Sequence, residues 1–142
     1  MTVIQETAEL PAPPERVWES IANPERWSEW QSIHSGFPDG TPELSPGAQF
    51  KQQVKIMGMP GEVAWTVETL EENNRLELTG KGPMGTTMRT LFNLEPADGG
   101  TKAFYEAEFG GAALAAMAGP LEKESRRGAQ ESLEKLKASV AS

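Results

Sequence analysis

Residues 48–70 read AQFKQQVKIMGMPGEVAWTVETL. Phe50, Val54 and Ile56 share one face of a period-two pattern, and Val63, Trp65 and Val67 share one face of another. That spacing marks two half-buried strands rather than helices. Between them, Pro60 and Gly61 suit the second and third positions of a type II turn, so a hairpin with its tip at 59–61 is expected. Met57 and Met59 flank that tip, where polar residues are usual.

The same period continues toward the C-terminus at Leu76 and Leu78, then at Met88, Thr90, Phe92 and Leu94, and finally at Tyr105, Ala107 and Phe109. Short connections at 71–74, 82–85 and 96–100 make the series an antiparallel meander of five strands. Toward the N-terminus, residues 3–10 form a first strand with Glu6 on the face of Ile4, Ala8 and Leu10. Pro13 and Pro14 end it and open a helix over about 14–22, carrying Val17, Trp18 and Ile21. Asn23 caps a second short helix with Trp27 and Trp30 on one face. Residues 32–46 are rich in Gly, Pro and Ser and allow only a short edge strand near Ile33 to Phe37.

From Pro120 onward, Leu121, Ser125, Gly128, Ser132, Leu136 and Val140 recur every three or four residues. Glu122, Lys123, Arg126, Arg127, Glu134 and Lys137 lie opposite, which defines a long amphipathic helix. Its apolar stripe is thin, because Ser125, Gly128 and Ser132 occupy places where Leu packs best. The expected architecture is one α+β domain over 1–142, with about six to seven antiparallel strands, two short helices after the first strand and a long C-terminal helix across the sheet.

Composition removes several functions. The 142 residues include no cysteine and one histidine, His34, so disulfides, thiolate sites and multi-histidine zinc sites are excluded and neither metal nor cofactor is expected. A net charge of -8 argues against nucleic acid as a partner. No apolar run approaches the roughly 20 residues that cross a bilayer, and MTVIQETAEL lacks the features of a signal peptide, so a cytoplasmic location without membrane insertion is expected.

The order of elements, with APPERVW (12–18), NPERWSEW (23–30) and a closing amphipathic helix, resembles the START-like superfamily, also called SRPBCC or helix-grip proteins. Within it, WQSIH, KIMGMPGEVAW and GGAAL resemble the polyketide cyclase/dehydrase-like branch and some members described as toxins of type II toxin-antitoxin pairs. The resemblance covers the whole chain. It implies a curved sheet gripping the last helix around a cavity for a hydrophobic small molecule or lipid, with a small antitoxin protein as partner if the toxin reading holds. The superfamily hosts carriers, binders and cyclases on one frame, so the residues have to choose among them.

The inward faces give a ligand-lining set of Phe50, Gln52, Val54, Ile56, Trp65, Val67, Leu78, Met88, Thr90, Phe92, Tyr105, Leu121 and Ser125. A fully packed core would use the same residue types. Strand direction gathers Met57, Met59, Met84 and Met117 at one end, either as an adaptable apolar mouth or as filler between sheet and helix. For catalysis the candidates are Glu6, a base if burial raises its pKa, His34, and Tyr105 as a donor. Binding without chemical change is the leading expectation, with Glu6, Gln52 and Tyr105 fixing orientation. Cyclase or aromatase chemistry and the toxin role are its alternatives.

Overall fold

The structure, a computed structural model, describes residues 2–141. Its strands are β1 (Thr2–Leu10), β2 (His34–Gly36), β3 (Gln49–Ile56), β4 (Met59–Glu71), β5 (Arg75–Lys81), β6 (Thr87–Ala97) and β7 (Gly100–Gly110). The helices are α1 (Pro14–Ile21), α2 (Trp27–Trp30), α3 (Ala112–Ala115) and α4 (Ala118–Val140). All seven strands join one antiparallel sheet in the order β1-β7-β6-β5-β4-β3-β2, with the meander running from β3 to β7 and β1 returning beside β7.

The β3–β4 hairpin turns three residues earlier than Pro60 and Gly61 suggest. Ile56 pairs with Met59, so Met57 and Gly58 are the turn, with φ of 55° and 77°. Positive φ at both central residues matches the twist of the flanking strands, and Gly58 supplies it without steric cost. Pro60 instead sits inside β4 opposite Lys55. It loses no ladder bond there, because β5 ends at Lys81, opposite Ala64, and no strand runs along this side of Pro60.

Alternation delivers the core. Val54, Val63, Trp65, Val67, Leu76, Leu78, Phe92 and Ala107 are buried on the inner face, with Leu121, Ala129, Leu133, Leu136 and Val140 of α4 against them. The helix begins at Ala118, two residues before Pro120, and its buried stripe adds Ala129 and Leu133 to the expected positions. Arg126, expected opposite the stripe, instead flanks it and reaches β1. Ser125, Gly128 and Ser132, the small residues of the stripe, all border an internal hollow, and two of them also receive the segment after α2. Ser32 donates through Oγ to the Gly128 carbonyl at 3.0 Å, and its backbone N–H donates to Ser132 Oγ at 3.0 Å. A side chain at 128 would crowd Ser32 Oγ at 3.2 Å, so these small residues let the helix approach the segment after α2.

The short helices are joined through indoles. Trp27 Nε1–H donates to the Ile21 carbonyl at 2.9 Å and Trp30 Nε1–H to the Ser20 carbonyl at 3.1 Å. Two carbonyls orphaned at the end of α1 are thereby satisfied by side chains of α2. Both tryptophans are 2% exposed and brace the sheet through rings, Trp30 edge-on to Phe92 and Trp27 tilted against Phe50.

Candidate functional site

Between the inner face of the sheet, α2 and the middle of α4 lies a cavity of about 220 Å³. The apolar part of its wall includes Ile21, Trp27, Trp30, Ile56, Trp65, Leu76, Leu78, Phe92, Ala107, Phe109 and Leu133. Polar groups enter from Gln31, Ser32, Gln52, Thr90, Tyr105, Ser125 and Ser132. The charged lining residues, Lys55, Glu124, Arg127 and Glu131, are all exposed and therefore mark a rim beside the β3–β4 turn and α4.

Of the residues expected to line a site, Gln52, Ile56, Trp65, Leu78, Thr90, Phe92, Tyr105 and Ser125 surround this cavity. Phe50, Val54, Val67, Met88 and Leu121 lie outside its lining. Their distance from it has a simple cause, since a curled sheet shares each inner face between the hollow and the packed ends. Met57 is in the wall, whereas Met59 and Met84 are 55% and 85% exposed and, like Met117, do not line it.

Gln52 is the hub of the polar wall. It is 1% exposed, accepts from Trp65 Nε1–H at 2.9 Å, and turns its amide nitrogen to Gln31 Oε1 and to His34 Nδ1, the latter at 2.9 Å. Indole N–H is a donor only, so Gln52 must present its oxygen to Trp65 and its NH₂ to the other two. His34 Nδ1 is then an acceptor, which makes the ring neutral with its proton on Nε2. Burial pulls the His34 pKa below its ordinary 6.5, in the same direction. The ring also packs against Phe37 at 4.7 Å.

Tyr105 sits on the opposite wing of the sheet from Gln52, its ring tilted against Phe92 at 4.9 Å. It lines the cavity, and burial pushes the phenol up to about 12, only partly offset by the neighbouring Thr90 hydroxyl. It stays protonated at any physiological pH. Glu6, opposite Tyr105 in the β1–β7 pairing, does not line the cavity. Its carboxylate is held by Arg126 Nη1 at 3.3 Å and Gln130 Nε2 at 3.1 Å. The three catalytic candidates are thus not assembled, since Glu6 is ion-paired, His34 is hydrogen bonded behind Gln52, and Tyr105 alone faces the hollow. Among the described residues no group of three or more His, Asp or Glu side chains is placed to hold a metal, and no helix is long and apolar enough to cross a membrane.

Sequence reasoning passed over Gln31 and Ser32. Their signal was local and faint, polar residues directly following the Trp-rich turn of α2.

A curved antiparallel sheet closed by a long C-terminal helix over an internal hollow defines the helix-grip class of α+β proteins. Across residues 1–141 the chain matches the family described as polyketide cyclase/dehydrase and lipid transport, and it belongs to that family. The uncharacterized protein Rv1546 of Mycobacterium tuberculosis is 29% identical over 136 residues, covering 95% of this chain and 93% of the relative. The protein named Toxin Rv0910, from the same organism, is 27% identical over 115 residues, or 80% of each chain. Among solved structures, protein CV1439 of Chromobacterium violaceum superposes with a TM-score of 0.78 at 22% identity over 100% of this chain and 99% of its own. Ara h 8.0201 superposes with a TM-score of 0.71 at 18% identity over 98% and 97%.

Proposed function

We propose that the protein binds a hydrophobic or amphipathic small molecule, lipid or polyketide-like, in the cavity between sheet and α4, without changing it chemically. The observation that carries this reading is an internal hollow of about 220 Å³ whose apolar wall is interrupted by a few buried polar groups. Apolar burial at about 25 cal/mol per Å² supplies affinity in such a site, and the polar groups fix orientation. Membership of a cyclase and lipid-transport family supports a ligand-binding role. The scatter of Glu6, His34 and Tyr105 favours binding over turnover, because a general base must reach the proton it removes. Native mass spectrometry of protein purified from its own host tests the reading. A co-purified small molecule, lost on unfolding, is the expected result, and an empty chain that also fails to bind an apolar dye overturns it.

A second reading, a toxin neutralised by a small partner protein, is favoured by the relative named Toxin Rv0910. It requires a short open reading frame abutting this gene and co-purification of its product with this chain.

A further inference from the structure

The hydrogen bonds in the cavity wall leave a defined set of valences unused. Trp65 fixes the oxygen of Gln52 toward itself, so both amide protons of Gln52 are committed to Gln31 Oε1 and His34 Nδ1. Gln52 therefore has no donor left for a ligand. Gln31, with its oxygen already accepting, presents its NH₂ group, for which no hydrogen-bond partner is found among the described residues, in the cavity wall. On the other wing, the hydroxyls of Thr90 and Tyr105 are neighbours in the cavity wall, with no side-chain hydrogen bond of ordinary geometry found for either among the described residues. Each hydroxyl carries one proton, so an O–H donor is available there as well.

The hollow thus offers an N–H donor on one side and an O–H donor on the other, with Trp65, Leu76 and Leu78 of the intervening strands as apolar floor. Its interior holds no charged side chain, and the rim charges cancel, Lys55 and Arg127 against Glu124 and Glu131. A buried carboxylate or ammonium on the ligand would have no counter-charge and would lose its hydration. The volume of about 220 Å³ also lies below the roughly 300–1,000 Å³ of pockets for drug-sized ligands, which favours one or two rings over a diacyl lipid.

We propose that this cavity selects a compact, uncharged molecule with carbonyl-type acceptors at two edges of an apolar body. One acceptor is received by the Gln31 amide and the other by the Tyr105–Thr90 hydroxyl pair. Gln52 and Trp65 are positioning residues that turn the Gln31 amide toward the ligand. The assignment rests on the ligand-binding reading above.

Calorimetric titration of ligand-free protein with 1,4-naphthoquinone, naphthalene and 1-naphthoate tests it. The quinone should bind about tenfold tighter than naphthalene, since each neutral hydrogen bond contributes about two- to tenfold, and naphthoate should bind weakest. Gln31→Leu and Tyr105→Phe should each lower quinone affinity by about two- to tenfold and leave naphthalene within about twofold. Trp65→Phe should lower the ratio of quinone to naphthalene affinity, a readout that general loosening of the wall, weakening both probes, does not move. Equal binding of quinone and naphthalene, a ratio unmoved by Gln31→Leu and Tyr105→Phe, or naphthoate binding as tightly as the quinone overturns the assignment and leaves the ligand-binding reading standing. Failure of all three probes while an apolar dye still binds overturns the assignment alone, and failure of the dye as well removes both.

Discussion

Trp65 donates its indole proton to Gln52 Oε1 at 2.9 Å, diagonally across β3 and β4, where Gln52 pairs with Val63. That bond sets the direction of the polar wall, because reversing the Gln52 amide would place donors against donors at Trp65. Gln52→Leu should therefore cost about 1–3 kcal/mol, the penalty for leaving buried partners unsatisfied. Urea denaturation monitored by tryptophan fluorescence measures it. A cost below about 0.5 kcal/mol would show that water replaces the amide freely.

His34 titrates within the same network. Its folded pKa lies below the ordinary 6.5 through burial, so the unfolded chain binds the proton more readily. Its contribution is present in full above about pH 6.5 and is lost as pH falls through the folded value. Stability measured between pH 7.5 and 5 should decline in the native protein, and His34→Asn should flatten that part of the profile. Parallel profiles would remove the linkage.

Gly80 lies where a methyl group would meet Trp65 Cε3 and Val63 Cγ1, both at 2.7 Å. Both contacts are buried core side chains, and Trp65 is held by its bond to Gln52, so neither is free to yield. Gly80→Ala should destabilise by about 1–3 kcal/mol through overpacking and should alter Trp65 emission. Retention of the native thermal midpoint would mean that the indole has room to shift.

On the outer face of the sheet, Arg89 faces Glu77 at 2.6 Å, Glu106 at 2.6 Å and Glu108 at 3.5 Å. The Glu106 carboxyl is held below its ordinary 4.5 first by Gln5 and then by Arg89. Although Arg89 lies on the outer face, its side chain is only 25% exposed within this cluster. Arg89→Met should cost about 1 kcal/mol near pH 7. A depressed carboxylate stabilises above its unfolded value and loses that effect as pH falls through the folded one, so the deficit should shrink below about pH 4. A deficit independent of pH would assign the loss to packing instead.

Met84 projects from the β5–β6 connection with 85% of its surface exposed and takes no part in the cavity lining. Met84→Glu should change stability by less than about 0.5 kcal/mol and leave naphthalene binding intact. Loss of binding alone would restore the role of a mouth to this methionine, and loss of stability would make it a seal.

Local pattern by itself determined most of the frame. Period-two spacing named the strands of the meander and their inner faces, and three- and four-residue spacing named α4, because side-chain direction follows directly from backbone geometry. The turn at 57–58 was not legible: Pro60 and Gly61 are the stronger local turn signal, and only pairing of the two strands across the full hairpin overrides it. The contacts that shape the site join residues far apart in the chain. Glu6 is drawn from the cavity by Arg126, 120 residues away, and Ser32 meets Ser132, 100 residues away. The direction of the Gln31 amide depends on Gln52, and that of Gln52 on Trp65. Periodicity tells which face a residue occupies, whereas the hydrogen bonds and empty volume on that face are properties of the assembled surfaces, and those the tertiary structure alone decided.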